Sequence, residues 1–165
     1  MKHQQNDLTH ALRRPVEHAA NNGPNRLRKV MNEQERNKRV VKLATNDELK
    51  LLTFSNFNGN QRDPHHCDVK IISGRFSFQG GFYFDNFSEF TSSIENMAEK
   101  LVGTAELKED YKDQSICLEV SSLGHVLVSG VIEEYSSHAQ KLNFGFKTDQ
   151  TCLSSFGKDL RKIIE

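Results

Sequence analysis

The sequence predicts a single α+β domain, a curved antiparallel sheet of about eight strands with two amphipathic helices packed on its apolar face. Three observations predict it. Strict apolar–polar alternation recurs from residue 40 onward, as in 116–120, where Ile116, Leu118 and Val120 share one parity and Cys117 and Glu119 the other. Two segments, 87–101 and 153–164, instead repeat their apolar residues at helical spacing. A length of 165 residues suits one hydrophobic core and is short for two.

Residues 1–39 hold few large apolar side chains, and Pro15 cuts across the i, i+4 run of Leu8, Leu12 and Val16, so this segment is expected to be a weakly structured extension. Met31 offers an alternative start, with 1–30 as an upstream extension. The domain proper is expected over 40–165. Residues 40–43 and 49–54 read as a first hairpin around Asn46 and Asp47. Residues 55–67, rich in Asn, Gly, Asp and Pro, read as a loop. The strand pattern resumes at 69–78, broken at Gly74, and continues through Phe82 and Phe84 beyond a turn at Gly80 and Gly81.

Phe87, Phe90, Ile94, Met97, Ala98 and Leu101 make one helical face, and Gly103 follows as a C-terminal signal. Strands are expected again over 104–107, 116–120, 126–135 and 141–147. Their clean alternation marks a sheet that is dry on one side and wet on the other. Leu153, Phe156, Leu160, Ile163 and Ile164 form the last helical face, with Asp149 placed to accept N–H bonds at its start.

Lys plus Arg and Asp plus Glu both number 22, yet the balance is uneven along the chain. Residues 1–39 carry nine basic and four acidic groups, leaving 13 basic and 18 acidic in the rest, so a basic leader precedes a mildly acidic body. Neither a run of about 18 apolar residues nor an apolar h-region is present, and the default expectation is a cytoplasmic protein. Cys67, Cys117 and Cys152 are odd in number and sit in apolar patterns, which suits reduced thiols.

The residues do not assemble an expected active site. His65, His66, Cys67 and Asp68 are four potential metal ligands in a row, but no second pair at ligand spacing supports them, and no metal is expected. Cys152, His125 and Asp149 can be drawn as nucleophile, base and orienter, although no catalytic signature surrounds Cys152. Gly124 reads as a turn glycine between two strands. Phosphate-binding glycine loops are missing, and neither a cofactor nor enzyme activity is expected.

Two features support binding. The basic leader can neutralise nucleic-acid phosphates, which makes a nucleic-acid-binding module the alternative function. Glu106, Glu109, Asp110, Asp113, Glu133 and Glu134 make an acidic surface suited to a basic partner.

The order of motifs then matters. Gly74 to Phe78, the 87–101 helix, Gly103-Thr104-Ala105-Glu106-Leu107, Leu123-Gly124-His125-Val126 and Phe146-Lys147-Thr148-Asp149-Gln150-Thr151 together resemble the WapI-type immunity proteins of bacterial contact-dependent toxin systems. The likeness covers about 40–165. It implies a non-enzymatic cytoplasmic protein that binds and neutralises the C-terminal toxin domain of a cognate toxin, often a nuclease. Gly103, Gly124, Asp149, Gln150 and Thr151 are then expected to bear the fold, and the six acids to face the partner.

Overall fold

The computed structural model describes residues 39–60, 63–110, 112–121, 123–135 and 137–165. The basic leader up to residue 38, the Met31 start and the weak first helix lie outside the described residues. Arg39, its last residue, donates from Nη1 to the Lys162 carbonyl near the end of the chain.

The chain runs twice through the same order, four antiparallel strands and then a helix. The first pass is β1 (Val41–Leu43), β2 (Lys50–Asn60), β3 (Asp63–Ser73), β4 (Phe76–Tyr83) and α1 (Phe87–Lys100). The second is β5 (Gly103–Lys108), β6 (Ser115–Val120), β7 (His125–Tyr135), β8 (Ala139–Asp149) and α2 (Cys152–Ile164). Eight antiparallel strands and two packed helices agree with the expected α+β class, and the strands divide into two four-stranded sheets, each a simple meander. Alternation tells which face of a strand is dry, whereas the neighbour of each strand depends on how the 14-residue helix α1 carries the chain from β4 to β5.

Registers show why one face of each sheet is apolar. Val41, Phe54 and Val69 align across β1, β2 and β3, as do Leu43, Leu52 and Ile71 one pleat away. In the second sheet Ala105, Leu118, Val128 and Phe146 form one row. All of them are buried in one continuous core. The helices complete it: α1 buries Phe87, Phe90, Ile94 and Met97, and α2 buries Leu153, Phe156, Leu160 and Ile163. Phe156 stacks on Phe54 with ring centroids 6.1 Å apart, and Phe90 meets the same ring edge-on at 6.5 Å.

Three local expectations are corrected. Residues 55–60 and 63–67 are not loop: β2 runs on to Asn60 and β3 begins at Asp63, the two paired as a long hairpin. Register shifts between Ser55 and Asn58 and between Asn58 and Gly59, with positive φ at Asn56 and Gly59, interrupt the alternation and so hid it. Phe57, inside this stretch, is fully buried. Gly80 and Gly81 do not form a turn but lie within β4, and the turn is at Gly74 (φ 64°). A Cβ on Gly80 would meet Phe78 Cζ at 2.7 Å and one on Gly81 would meet His66 Nε2 at 2.8 Å, so both glycines make room for a ring. Helix α1 is capped by Leu101 in the left-handed region (φ 54°), two residues ahead of Gly103, and Gly103 opens β5.

Hydrogen bonds tie the first sheet, and the junction between β4 and α1, to the second sheet. Ser73 Oγ donates to the Gly145 carbonyl at 2.9 Å. Asp85 N donates to Lys108 O at 3.0 Å, while Asn86 Oδ1 accepts from Lys108 N at 3.1 Å and its Nδ2 donates to Glu106 O at 2.9 Å. Asn86 therefore fastens the start of α1 to β5.

Candidate partner-binding surface

The strands place the six acids unequally. Ala105 and Leu107 turn inward, so Glu106 between them stands on the outer, solvent face of the second sheet. Beyond the end of β5 the chain turns through Glu109, Asp110 and Asp113 before β6 begins. In the register Lys108 pairs with Ser115 and Ser115 with Val131, so β7 and β8 project past this turn as a two-stranded ribbon. Glu133 and Glu134 lie on that ribbon. Thus the turn acids and the ribbon acids share one end of the molecule, with Glu106 beside it on the outer face.

This end is not a bare acidic patch. Lys141 Nζ lies 3.1 Å from Asp113 and 3.3 Å from Glu133, its register partner. Lys112 Nζ lies 2.8 Å from Glu109 and Lys108 Nζ 3.4 Å from Glu106. The hydrogen bonds to Glu109, and to Asp113 and Glu133, hold the Lys112 and Lys141 ammonium groups above their usual range. Among the described residues Asp110 and Glu134 carry no ion pair. Counting Asp85, whose carboxylate accepts the Asp110 N–H at 3.1 Å, seven acids face three lysines here, a net of −4.

Two tyrosines at this end were not singled out from the sequence. Tyr83 and Tyr135 are 48% and 68% exposed, and Lys112 Nζ sits over the Tyr83 ring, 5.1 Å from its centroid. Tyr135 Oη donates to Glu133 Oε2 at 2.5 Å, which raises the phenol above its usual range. His66 packs on the other ring, 4.5 Å from Tyr83 centroid to centroid. Exposed tyrosines are enriched at protein interfaces, where charged side chains belong to the rim. Their signal in the sequence was their position at strand ends in a chain with eleven Phe and only three Tyr.

A second group of expected residues meets at the opposite corner. Gly124, with φ 75°, turns the chain from β6 to β7, and its carbonyl accepts the Gln150 N–H at 3.1 Å. A Cβ there would lie 3.2 Å from the Gln150 side chain. Asp149 Oδ1 accepts the Thr151 N–H at 2.9 Å, and the Gln150 carbonyl accepts from Leu153 N at 3.1 Å. The hydrogen bonds from Thr151 hold the Asp149 carboxyl below its usual range. Gly124, Asp149, Gln150 and Thr151 therefore build one joint that sets where α2 begins, and Gly103 lies apart from it, against Met97.

The possible chemical groups are dispersed or suppressed. His66 stacks on Tyr83, Cys67 points into the core, and Asp68 accepts from Asn56 Nδ2 at 2.6 Å. Burial raises the Cys67 thiol strongly and pushes Cys152 up to about 11, against the direction a nucleophile needs. His125 acts on Asp149 across the β7–β8 pair, whose carboxylate is engaged by Thr151.

Comparison with known proteins supplies the context. The model of the immunity protein WapI-like family matches residues 45–165. No curated protein matches the chain. One solved structure, from the crystal structures of Trypanosoma bruciei MRP1/MRP2, is similar in shape, with a TM-score of 0.48 and 10% identity over 93% of this chain and 95% of that one.

Proposed function

This chain belongs to the immunity protein WapI-like family, and from that premise we propose that it binds one-to-one to the C-terminal toxin domain of a cognate contact-dependent toxin in the cytoplasm. Membership of this family makes it a non-catalytic binding module with an immunity role. The finer reading is that the toxin is a nuclease and that the end carrying Glu109, Asp110, Asp113, Glu133 and Glu134 covers its cleft, with Glu106 at the rim. A nuclease cleft has to attract a polyanion and is commonly basic. An inhibitor surface of net −4 then competes with the nucleic acid by complementary potential. Tyr83 and Tyr135 supply rigid contact area beside it.

The observation that carries the proposal is the family match over 45–165. Its test is a pull-down of the tagged full chain from its native host at moderate salt, followed by growth of cells expressing the recovered domain with and without this protein. Stoichiometric recovery of the C-terminal fragment of one large secreted protein, and rescued growth, are expected. Recovery of a fragment whose toxicity this protein leaves unchanged would contradict the proposal.

A further inference from the structure

The acidic end holds a seat for a cation that a lysine of this chain already fills. Lys112, in the turn between β5 and β6, places Nζ 5.1 Å from the ring centroid of Tyr83 at the end of β4 and 2.8 Å from Glu109 Oε2. Tyr135, at the end of β7, also acts on its charge. Two strand ends, one from each sheet, and the β5–β6 turn thus converge on one ammonium group.

The rings are held in place without Lys112. His66, the register partner of Tyr83, packs against its ring. A Cβ on Gly81 would meet His66 Nε2 at 2.8 Å, so β4 leaves room there for the imidazole. Tyr135 Oη is fixed by its bond to Glu133 Oε2. Rings fixed in this way lose little freedom when a cation settles on them.

The occupant, in contrast, is held loosely. Lys112 and Glu109 lie three residues apart on one turn with side chains 43% and 23% exposed, and such a pair in water is weak. Glu109 Oε2 is closed off from solvent and has no hydrogen-bond partner of good alignment, although Lys112 Nζ is this near. A donor arriving from outside can meet it better. Asp110 beside it carries no ion pair among the described residues, and the whole end is net −4, so the group that fits here is a cation. A partner's cation also brings an interface that excludes water, and contacts of a cation with rings and carboxylates strengthen as they are desolvated.

We propose that Lys112 is a placeholder: on binding it leaves the Tyr83 ring and Glu109, and a lysine or arginine side chain of a protein partner takes its position, which makes Tyr83 and Glu109 the residues that select a basic partner. The identity of that partner as the toxin domain rests on the proposed function; the exchange itself does not.

Titration of the full chain at low salt with a blocked Gly-Arg-Gly peptide and its uncharged citrulline counterpart, followed by NMR, tests the exchange. The arginine peptide should shift the Tyr83 ring signals and the citrulline peptide should not. Lys112→Met keeps most of the stem, removes the ammonium and should tighten arginine binding about fivefold. Lys108→Met removes the same charge from a lysine that pairs with Glu106, and should tighten it less than twofold. Adding Tyr83→Leu to Lys112→Met should remove the gain. All three positions are exposed, and an unchanged urea midpoint shows that each variant is folded. An equal response to the citrulline peptide, equal effects of the two lysine variants, or weaker binding by Lys112→Met would overturn the proposal. Toxin binding that Lys112→Met weakens removes the placeholder and keeps the proposed function; the expected peptide results without toxin neutralisation do the reverse.

Discussion

Gly130 shows how much a single position can decide. It pairs with Ile116 on one side and Phe144 on the other, in an inward-facing row where its neighbours carry large side chains. A Cβ at Gly130 would lie 2.1 Å from Ser115 O and 2.8 Å from Phe144 Cε1, so β7 gives up its side chain and the Phe144 ring takes the space. The obstacle on one side is backbone, which cannot swing away. Gly130→Ala should therefore destabilise the fold by about 3 kcal/mol, the upper end for overpacking, read as a lower urea midpoint with an unchanged slope. The sequence placed Gly130 within a strand, on the parity of Val128 and Ile132, but the ring that covers it comes from 14 residues further on. The same holds for Tyr83 and Tyr135, whose meeting around Lys112 no local pattern announces.

Among the elements, the two helices were the most legible, because each buries one stripe at a 3.6-residue period. Their mutual contact was not legible. Gly157 of α2 lets the backbones approach, its position 3.4 Å from Ile94 Cγ2 and Glu95 Cγ for an added Cβ. One turn on, Arg161 grips both carboxylate oxygens of Glu95. That hydrogen bonding holds the Glu95 carboxyl below its ordinary 4.5, so it contributes stability above the unfolded-state value, lost as pH falls through the folded one. The side chains are 32% and 39% exposed, and solvent screens the pair, so Glu95→Gln should cost under about 1 kcal/mol at pH 7. The difference between wild type and Glu95→Gln in denaturant midpoint should shrink as pH is lowered from 6 to 3; a difference independent of pH would deny the pair this role. The 55–67 hairpin shows the opposite case, where two register shifts broke the period that makes a strand readable.

Over the whole molecule the formal charge is zero, and only its distribution carries information. Acids from two separate turns and strands converge at one end because β7 and β8 extend past the β5–β6 turn. Charge reversal of Glu109, Asp110 and Asp113 together should slow association with the toxin domain at least tenfold at low salt, by stopped-flow fluorescence, with the effect shrinking as ionic strength rises. Dissociation should change less. An association rate untouched by the triple reversal would take these residues out of the interface.

Alternation and helical spacing are properties of neighbours along the chain, so the α+β class, the strands from 104 onward and both helices follow from the sequence without reference to distant residues. Motif order likewise reached the family. Which strands share a sheet, the joint between Gly124 and Gln150, and the lysines that partly neutralise the acids all depend on contacts between residues far apart in sequence. Those contacts are selected by packing the entire core at once, and no local period encodes them.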